Sequence, residues 1–462
     1  MHWTLPEIAA ATEGVISADG SADGKAPERR VEGVSVDTRV LRTGELFVAL
    51  RAERDGHDFL PAAAAAGAAA AMVEESARAA GTAPTVPAAE GGSVLPTVVV
   101  ADTRDALLAL GRAARRRLDV PVVGITGSVG KTSTKDMAAA ALSVGRRTVA
   151  SAASFNNEIG VPLTLANAPD SSEVAVLEMG ARGPGHIALL CRVARPSTGV
   201  VTAVAAAHTE MFGGLDAIAR AKGELIEALP PTGLAVLNGD DERVRAMAAR
   251  GPAPALLYST CAPAAPGAEV VAERIELDDQ LRPRFLFRSP WGRVEVELEA
   301  RGAHQVGNAL AALTVAVHQG VDLDAAAGAL RSAALSPMRM DLRRTPSGAA
   351  VLNDSYNANP ASMAAALRAL AAIPARRRVA VLGVMAELGD DQAEEHRAIA
   401  ELAGTLGIEV IAVGTPDYGP APLDDPAEVI DHLGPLLAGD AVLIKASRVA
   451  ALERVATRLL AS

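Results

Sequence analysis

Four apolar runs rich in Val, Ile, Leu and Ala recur through the middle of the chain, at residues 120–125, 174–177, 199–206 and 233–237, with helical stretches between them. Continuously apolar runs, unlike alternating ones, suit strands buried on both faces, so this rhythm predicts a parallel sheet covered by helices. The pattern restarts after Leu335-Ser-Pro-Met-Arg339, with strands expected at 350–352, 378–382, 409–413 and 441–444. That second series predicts a doubly wound, Rossmann-like domain. Upstream, short segments at 31–36 and 44–50, an alanine-rich helix over 60–67, a Pro/Gly/Ala-rich surface loop over 81–96 and a helix over 103–117 predict a small α/β domain. The chain therefore reads as α/β with three domains: residues 1–118, a central phosphate-loop domain at 119–337, and a Rossmann-like domain at 338–462.

Composition narrows the function classes. With 462 residues and 50% apolar content, each domain can bury its own core. Lys and Arg number 44 against 55 Asp and Glu, a formal charge of −11, and no basic block exceeds Arg115-Arg116-Arg117. An electrostatic footprint for nucleic acid or an anionic membrane is absent. Cys191 and Cys261 are the only cysteines, which excludes a disulfide framework and fits a reducing compartment. Met1–Glu7 carries neither a basic n-region nor a long apolar core, so no signal peptide is expected and the protein is assigned to the cytoplasm. Two charge-free stretches are no membrane spans: 251–268 holds four prolines, and 302–321 carries His304, Gln305, Asn308, His318 and Gln319. No integral membrane segment is expected, and the chain is taken as a monomer.

Chemistry concentrates after the first central strand. Gly127-Ser-Val-Gly-Lys-Thr-Ser133 follows the 120–125 run and precedes a helix expected to start near Thr132. Backbone N–H groups of such a turn close around phosphate oxygens, Lys131 reaches the terminal phosphates and the Thr132 hydroxyl suits Mg²⁺. The strict phosphate-loop spacing asks for glycine at 125, where this chain has Ile125; its glycines are Gly124 and Gly127. Ligands of parallel sheets sit beyond the carboxyl ends of strands, which singles out Glu178 and His208, each following an apolar run. A carboxylate and an imidazole beside phosphates suit Mg²⁺, although such a Glu is often only solvated and such a His only structural. Lys222, on an expected helix, is by default a surface lysine; only desolvation would leave it neutral and able to take up CO₂ as a carbamate.

Together these residues resemble the Mur ligases, the ATP-dependent amide-forming enzymes of peptidoglycan precursor synthesis. Thr126-Gly-Ser-Val-Gly-Lys-Thr-Ser133 is similar to that family's own phosphate loop. Asn156-Asn-Glu-Ile-Gly-Val-Pro162, Glu178-Met-Gly180, Ala205-Ala-Ala-His-Thr-Glu210, Ala221-Lys-Gly-Glu224 and His304-Gln-Val-Gly-Asn308 follow in the family's order. In the third domain, Asn353-Asp-Ser-Tyr-Asn-Ala-Asn-Pro-Ala-Ser362 and Met385-Ala-Glu-Leu-Gly389 with His396 are similar to members that add a D-alanyl-D-alanine dipeptide to UDP-MurNAc-tripeptide. The Asp-Asn-Pro-Arg signature of the diaminopimelate-adding relatives is absent.

The resemblance implies roles. ATP would be held by Gly127, Ser128, Val129, Gly130, Lys131, Thr132 and Ser133, with Asn308 on the adenine side, Arg339 at the phosphates and Asp354 near the ribose. Thr132, Glu178, His208 and a carbamylated Lys222 would hold Mg²⁺, and Lys131, His208 and Lys222 would serve catalysis. Ser35, Asp37, Thr38 and Arg39, inside Gly33-Val-Ser-Val-Asp-Thr-Arg39, would meet the UDP-sugar; Gly44-Glu-Leu-Phe-Val-Ala49 and Asp55-Gly-His-Asp-Phe59 fit the same domain. Two positions depart from the family. Met338 stands where Pro-Gly-Arg is usual, and a side chain there disfavours positive φ; Ala446 replaces the glycine of Lys-Gly-Ser-Arg. The alternatives are a folylpolyglutamate synthetase-like ligase and a phosphate-loop switch or transport ATPase.

Overall fold

The structure is a computed structural model describing residues 1–17, 30–79, 95–206, 212–419 and 421–461. The chain divides into two compact units, one made of residues 1–122, 147–179 and 188–196, the other of 123–146, 180–187 and 197–462.

The first unit contains a sheet of β1 (Val15–Ser17), β2 (Val34–Ser35), β3 (Leu46–Val48), β4 (Ala70–Glu74) and β5 (Thr97–Val100), in the order β1-β5-β4-β3-β2. Strands β2 to β5 run parallel and β1 closes the edge antiparallel. Every position of β4 is buried, as its unbroken apolar run requires. Helix α1 (Thr103–Arg117) starts where Asp102 accepts from the N–H groups of Arg104 and Asp105, and ends on Arg115, Arg116 and Arg117. Acceptors at the first turn and cations at the last suit the helix dipole, and both ends fall where the sequence places them. The loop expected at 81–96 lies almost wholly outside the described residues.

The central strands are β6 (Val122–Thr126), β7 (Thr148–Ala150), β8 (Val174–Glu178), β9 (Thr198–Val201), β10 (Leu234–Asn238), β11 (Ala255–Ser259), β12 (Ala268–Leu277), β13 (Pro283–Ser289) and β14 (Gly292–Glu297). In the first unit, β7 and β8 pair in parallel. In the second, the order is β14-β13-β12-β11-β10-β9-β6, parallel from β6 to β12 and antiparallel beyond. The sequence reading missed the β12–β14 meander, because its strands alternate charged and apolar residues instead of forming apolar runs. It also carried β9 too far: the strand ends at Val201, and residues 202–205 spend their polar groups on the phosphate loop. Helix α2 (Lys131–Ser143) follows that loop, α3 (Leu215–Glu227) carries Lys222, and α4 (His304–His318) packs on α2. Positions 305–306 and 308–317 of α4 are all buried, so this charge-free stretch is a core helix. Among the described residues no helix is long and apolar enough to cross a membrane.

Also in the second unit, β15 (Asp341–Arg344), β16 (Ala350–Asn353), β17 (Arg377–Leu382), β18 (Glu409–Ala412) and β19 (Asp440–Lys445) form a sheet in the order β15-β16-β19-β17-β18, parallel except for β15. Neighbouring strand residues point to opposite faces. Leu352 and Leu382 thus join Met363 and Leu367 of α5 (Pro360–Ala372) and Ile399 of α6 (Gln392–Thr405) in one core. Val351 and Val381 join Val429 of α7 (Val429–Leu433) and Val455 of α8 (Glu453–Ala461) in the other. Helices on both faces make the doubly wound arrangement, and the carboxyl ends of β16, β19 and β17 deliver Asp354, Ala446 and Gly383 to one edge of the sheet.

Candidate functional site

The phosphate loop is held open from behind. Gly127 has φ 151°, and a Cβ there would lie 1.9 Å from Thr202 Oγ1; Gly130 has φ 85°, and its Cβ would lie 2.6 Å from Asn308 Oδ1. Neither position accepts a side chain. The loop therefore begins after β6 rather than within it: Ile125 is a fully buried strand residue, which explains the glycine displaced to 127. Ser128 N–H donates to Ala203 O at 2.8 Å and Ser128 Oγ to Ala205 O at 2.9 Å, while Thr202 Oγ1 donates to Val129 O. Residues 202–205 are fixed in turn, since Asn238 Nδ2 donates to Thr202 O and Val204 N–H donates to Asp241 Oδ2. Lys131 Nζ donates to Gly127 O at 2.7 Å and Ser128 O at 3.3 Å, which arches it over the loop.

Asn308 sits behind the same loop. Its Oδ1 accepts from Thr134 Oγ1 at 3.0 Å and its Nδ2 donates to Gln305 Oε1 at 2.8 Å. The residue expected on the adenine side thus leans its carbonyl on Gly130, and its second amide hydrogen is what a base could use.

Lys222 is 5% exposed on α3, not the surface lysine its helix position suggested by default. Burial, with the Lys131 charge adding to it, pushes the ammonium well below the ordinary lysine range. A neutral amine in this position is a nucleophile for CO₂.

Glu178, in the first unit, ends β8 and is 1% exposed. Its Oε1 accepts from Asn156 Nδ2 at 2.8 Å, which gives the Asn156 motif a purpose; its buried Oε2 has no hydrogen-bond partner. A buried carboxylate oxygen left without a donor is an oxygen that a bound cation could satisfy. His208 lies outside the described residues, and among those described no three His, Cys, Asp or Glu cluster as a metal cage. Mg²⁺ needs no such cage, because it keeps phosphate and water ligands.

Past the central helices, Arg339 Nη2 donates to Thr132 Oγ1 at 2.9 Å. Met338 next to it has φ 58°, which corrects the expectation that a methionine would avoid the left-handed backbone. Such a residue costs roughly 1 kcal/mol and persists where its surroundings hold it. Here Met338 O accepts from Tyr356 N–H, and Met338 Sδ accepts from Arg448 Nη1 at 3.4 Å. Ala446 is likewise accommodated: it faces Gly383, where a Cβ would approach the Ala446 methyl to 2.8 Å, so the facing strand end has room for the methyl because it carries none itself. Asp354 is paired, accepting from Lys445 Nζ at 2.5 Å through Oδ2 and from Met340 N–H at 3.1 Å through Oδ1. Sequence reasoning left Lys445 and Tyr356 without roles; each belongs to a quoted motif and follows or ends a strand, which was the available signal.

The 35–39 turn of the first unit is internally satisfied. Asp37 N–H donates to Ser35 Oγ, Ser35 Oγ donates to Asp37 O, and Arg39 meets Asp37 through Nε–Oδ1 at 2.9 Å and Nη2–Oδ2 at 2.6 Å. The Arg39 guanidinium lowers the Asp37 carboxyl to about 2. Thr38 lies half-buried between them, and Arg39 is exposed.

Two family models match the chain, one described as "Mur ligase middle domain" over residues 125–316 and one as "Mur ligase, glutamate ligase domain" over 338–461. A protein of Mycobacterium tuberculosis named UDP-N-acetylmuramoyl-tripeptide--D-alanyl-D-alanine ligase is 38% identical, over 100% of this chain and 98% of that one. The Escherichia coli protein of that name is 36% identical over 93% of this chain and 94% of its own. Among solved structures, MurF from Acinetobacter baumannii superposes with a TM-score of 0.84 at 28% identity, covering 100% of this chain and 99% of that one. MurF ligase from Thermotoga maritima in complex with ADP gives 0.78 at 28% identity, over 93% and 97%.

Proposed function

Because the chain belongs to the Mur ligase family, we infer that it joins D-alanyl-D-alanine to UDP-N-acetylmuramoyl-tripeptide, consuming ATP and forming ADP, in peptidoglycan precursor synthesis. The observation that carries this is full-length similarity to ligases of that name, joined to a phosphate loop whose two glycines hold positive φ with their Cα atoms close against Thr202 and Asn308.

A free carboxylate is a poor acyl donor, because its oxygen is a poor leaving group. In the proposed reaction the tripeptide carboxylate attacks the γ-phosphorus and ADP departs. The dipeptide amine then attacks the acyl phosphate, and the tetrahedral intermediate releases phosphate. The backbone N–H groups at 127–133 would cradle the phosphates, and Lys131 would swing from the Gly127 and Ser128 carbonyls to the transferred group. Arg339 would exchange Thr132 for a phosphate oxygen. Asp354, oriented by Lys445, would accept from the ribose, and Asn308 would offer its spare amide hydrogen to the adenine. Ser35, Asp37, Thr38 and Arg39 would receive the UDP-sugar.

The buried Glu178 Oε2 without a hydrogen-bond partner is the kind of oxygen that Mg²⁺ takes, and when bound the ion would offset phosphate charge. Thr132, Glu178, His208 and a carbamylated Lys222 are its proposed holders, with Lys131, His208 and Lys222 as the catalytic set. We assign UDP-sugar binding to residues 1–118, ATP binding to 119–337, and closure on ATP with dipeptide binding to 338–462. The enzyme is proposed to act as a cytoplasmic monomer, supplying wall precursors on which cell shape and division depend.

The purified chain, given ATP, UDP-MurNAc-tripeptide and D-Ala-D-Ala, should yield UDP-MurNAc-pentapeptide by mass spectrometry with one ADP per product. ADP release that ignores the dipeptide and yields no new amide would refute the assignment and favour a switch ATPase.

A further inference from the structure

Arg339 lies between two non-glycine residues in the left-handed region, Met338 at φ 58° and Met340 at φ 54°. Strain on both sides of one residue points to a side chain that has to be aimed. The loop after β16 maintains it: Tyr356 N–H donates to Met338 O at 3.3 Å and Met340 N–H donates to Asp354 Oδ1 at 3.1 Å. The resulting aim is specific. One end of the guanidinium reaches Thr132 Oγ1 at 2.9 Å, while its carbon sits 4.3 Å from the centroid of the Tyr356 ring. Arg339 Nε is buried and has no hydrogen-bond partner, so the aromatic face is the support this part of the group receives.

We propose that Tyr356 is a positioning residue for phosphoryl transfer, its ring serving as the platform that holds Arg339 against the phosphate loop. This rests on the reading of Arg339 as a phosphate-facing group. A π face attracts a planar guanidinium without fixing its in-plane direction, as a hydrogen-bond acceptor would. The distinction matters at Thr132. A guanidinium and a divalent cation would repel each other at one hydroxyl, so on the reading that Thr132 helps hold Mg²⁺, Arg339 would have to leave that oxygen for a phosphate. On the ring it pivots toward a phosphate oxygen while keeping its support. A carboxylate platform would instead have neutralised the charge that the transferred phosphoryl group needs.

The test compares Tyr356→Leu, Tyr356→Phe, Arg339→Met and the Arg339→Met/Tyr356→Leu pair in the full-length enzyme, with steady-state kinetics for each substrate and thermal midpoints. Tyr356→Leu should lower kcat/KM for ATP by about tenfold and leave the KM for D-Ala-D-Ala unchanged. Tyr356→Phe, which keeps the ring face, should stay within about twofold of the parent. The double variant should be no slower than Arg339→Met alone, because the platform has lost its load. Full activity of Tyr356→Leu, an equal further loss in the double variant, or a raised dipeptide KM would overturn the proposal. A folding defect would reveal itself as a lowered midpoint that Tyr356→Phe does not share, with losses persisting in the Arg339→Met background, and that too counts against it. Full activity of Arg339→Met would instead strike the underlying reading of the arginine.

Discussion

A lysine with 5% exposure calls for a reason, and at Lys222 the reason lies in its charge state. Burial and the neighbouring Lys131 hold its affinity for protons down, while the unfolded chain keeps the ordinary value of 10.5. Between those two values the unfolded state binds more protons, so this residue makes stability rise with pH and weakens the fold as pH falls. Lys222→Met should therefore raise the thermal midpoint near neutral pH and flatten its pH dependence, while activity falls by roughly 10- to 100-fold. Partial rescue of Lys222→Ala by small carboxylic acids would identify the missing group as a carboxylate; near-normal turnover of Lys222→Met would dismiss the carbamate. Gly127→Ala makes a second residue-scale case. Its methyl would overlap Thr202 Oγ1, and the displaced loop should lose roughly 100-fold in kcat/KM for ATP. Both positions were legible as motif residues. The burial of Lys222 and the Thr202 contact were not, because each depends on segments distant in sequence.

The loop after β17 is an element whose shape depends on one imidazole. His396 on α6 is fully buried, its Nδ1–H donating to Gln392 O at 2.6 Å and its Nε2 accepting from Met385 N–H at 2.9 Å. Tyr418 packs against it with the rings tilted by 60° and centroids 4.8 Å apart, and donates its hydroxyl to Gly383 O. Burial lowers the His396 pKa, outweighing the opposing pull of Gln392 O and Asp417. A depressed folded value means that this contribution to stability is complete above the ordinary histidine value of 6.5 and fades as pH falls. His396→Gln should therefore show a smaller drop in thermal midpoint between about pH 7 and pH 5 than the parent. At the neighbouring strand end, Lys445→Met leaves Asp354 without its buried partner and should destabilise the protein by roughly 3 kcal/mol, measured by denaturant unfolding. The sequence placed His396 in a motif without saying whether it binds or braces. The hydrogen bonds at both nitrogens answer that it braces.

Across the molecule, what could be read in advance followed from burial. Strands covered on both faces left apolar runs, and β6, β8, β10, β16, β17 and β19 fall within a residue or two of their expected bounds. The β12–β14 meander escaped because one side of it is solvated, so its pattern merges with ordinary polar sequence. The left-handed backbone at Met338 also escaped, since hydrogen bonds from the loop after β16 override the local preference. Where Pro-Gly-Arg and Lys-Gly-Ser-Arg glycines were expected, Met338 takes a positive φ and Ala446 packs against Gly383, so both side chains fit the backbone they stand on. The whole assembly of residues is proposed to serve a single physical step, transfer of the γ-phosphoryl group to a carboxylate rather than to water. Oxygen tracing tests that step most directly: UDP-MurNAc-tripeptide labelled with ¹⁸O in its terminal carboxylate is turned over with ATP and D-Ala-D-Ala, and the released phosphate is analysed by mass. The account predicts that each phosphate carries one labelled oxygen, drawn from the carboxylate through the acyl phosphate. Unlabelled phosphate accompanying pentapeptide formation would contradict it.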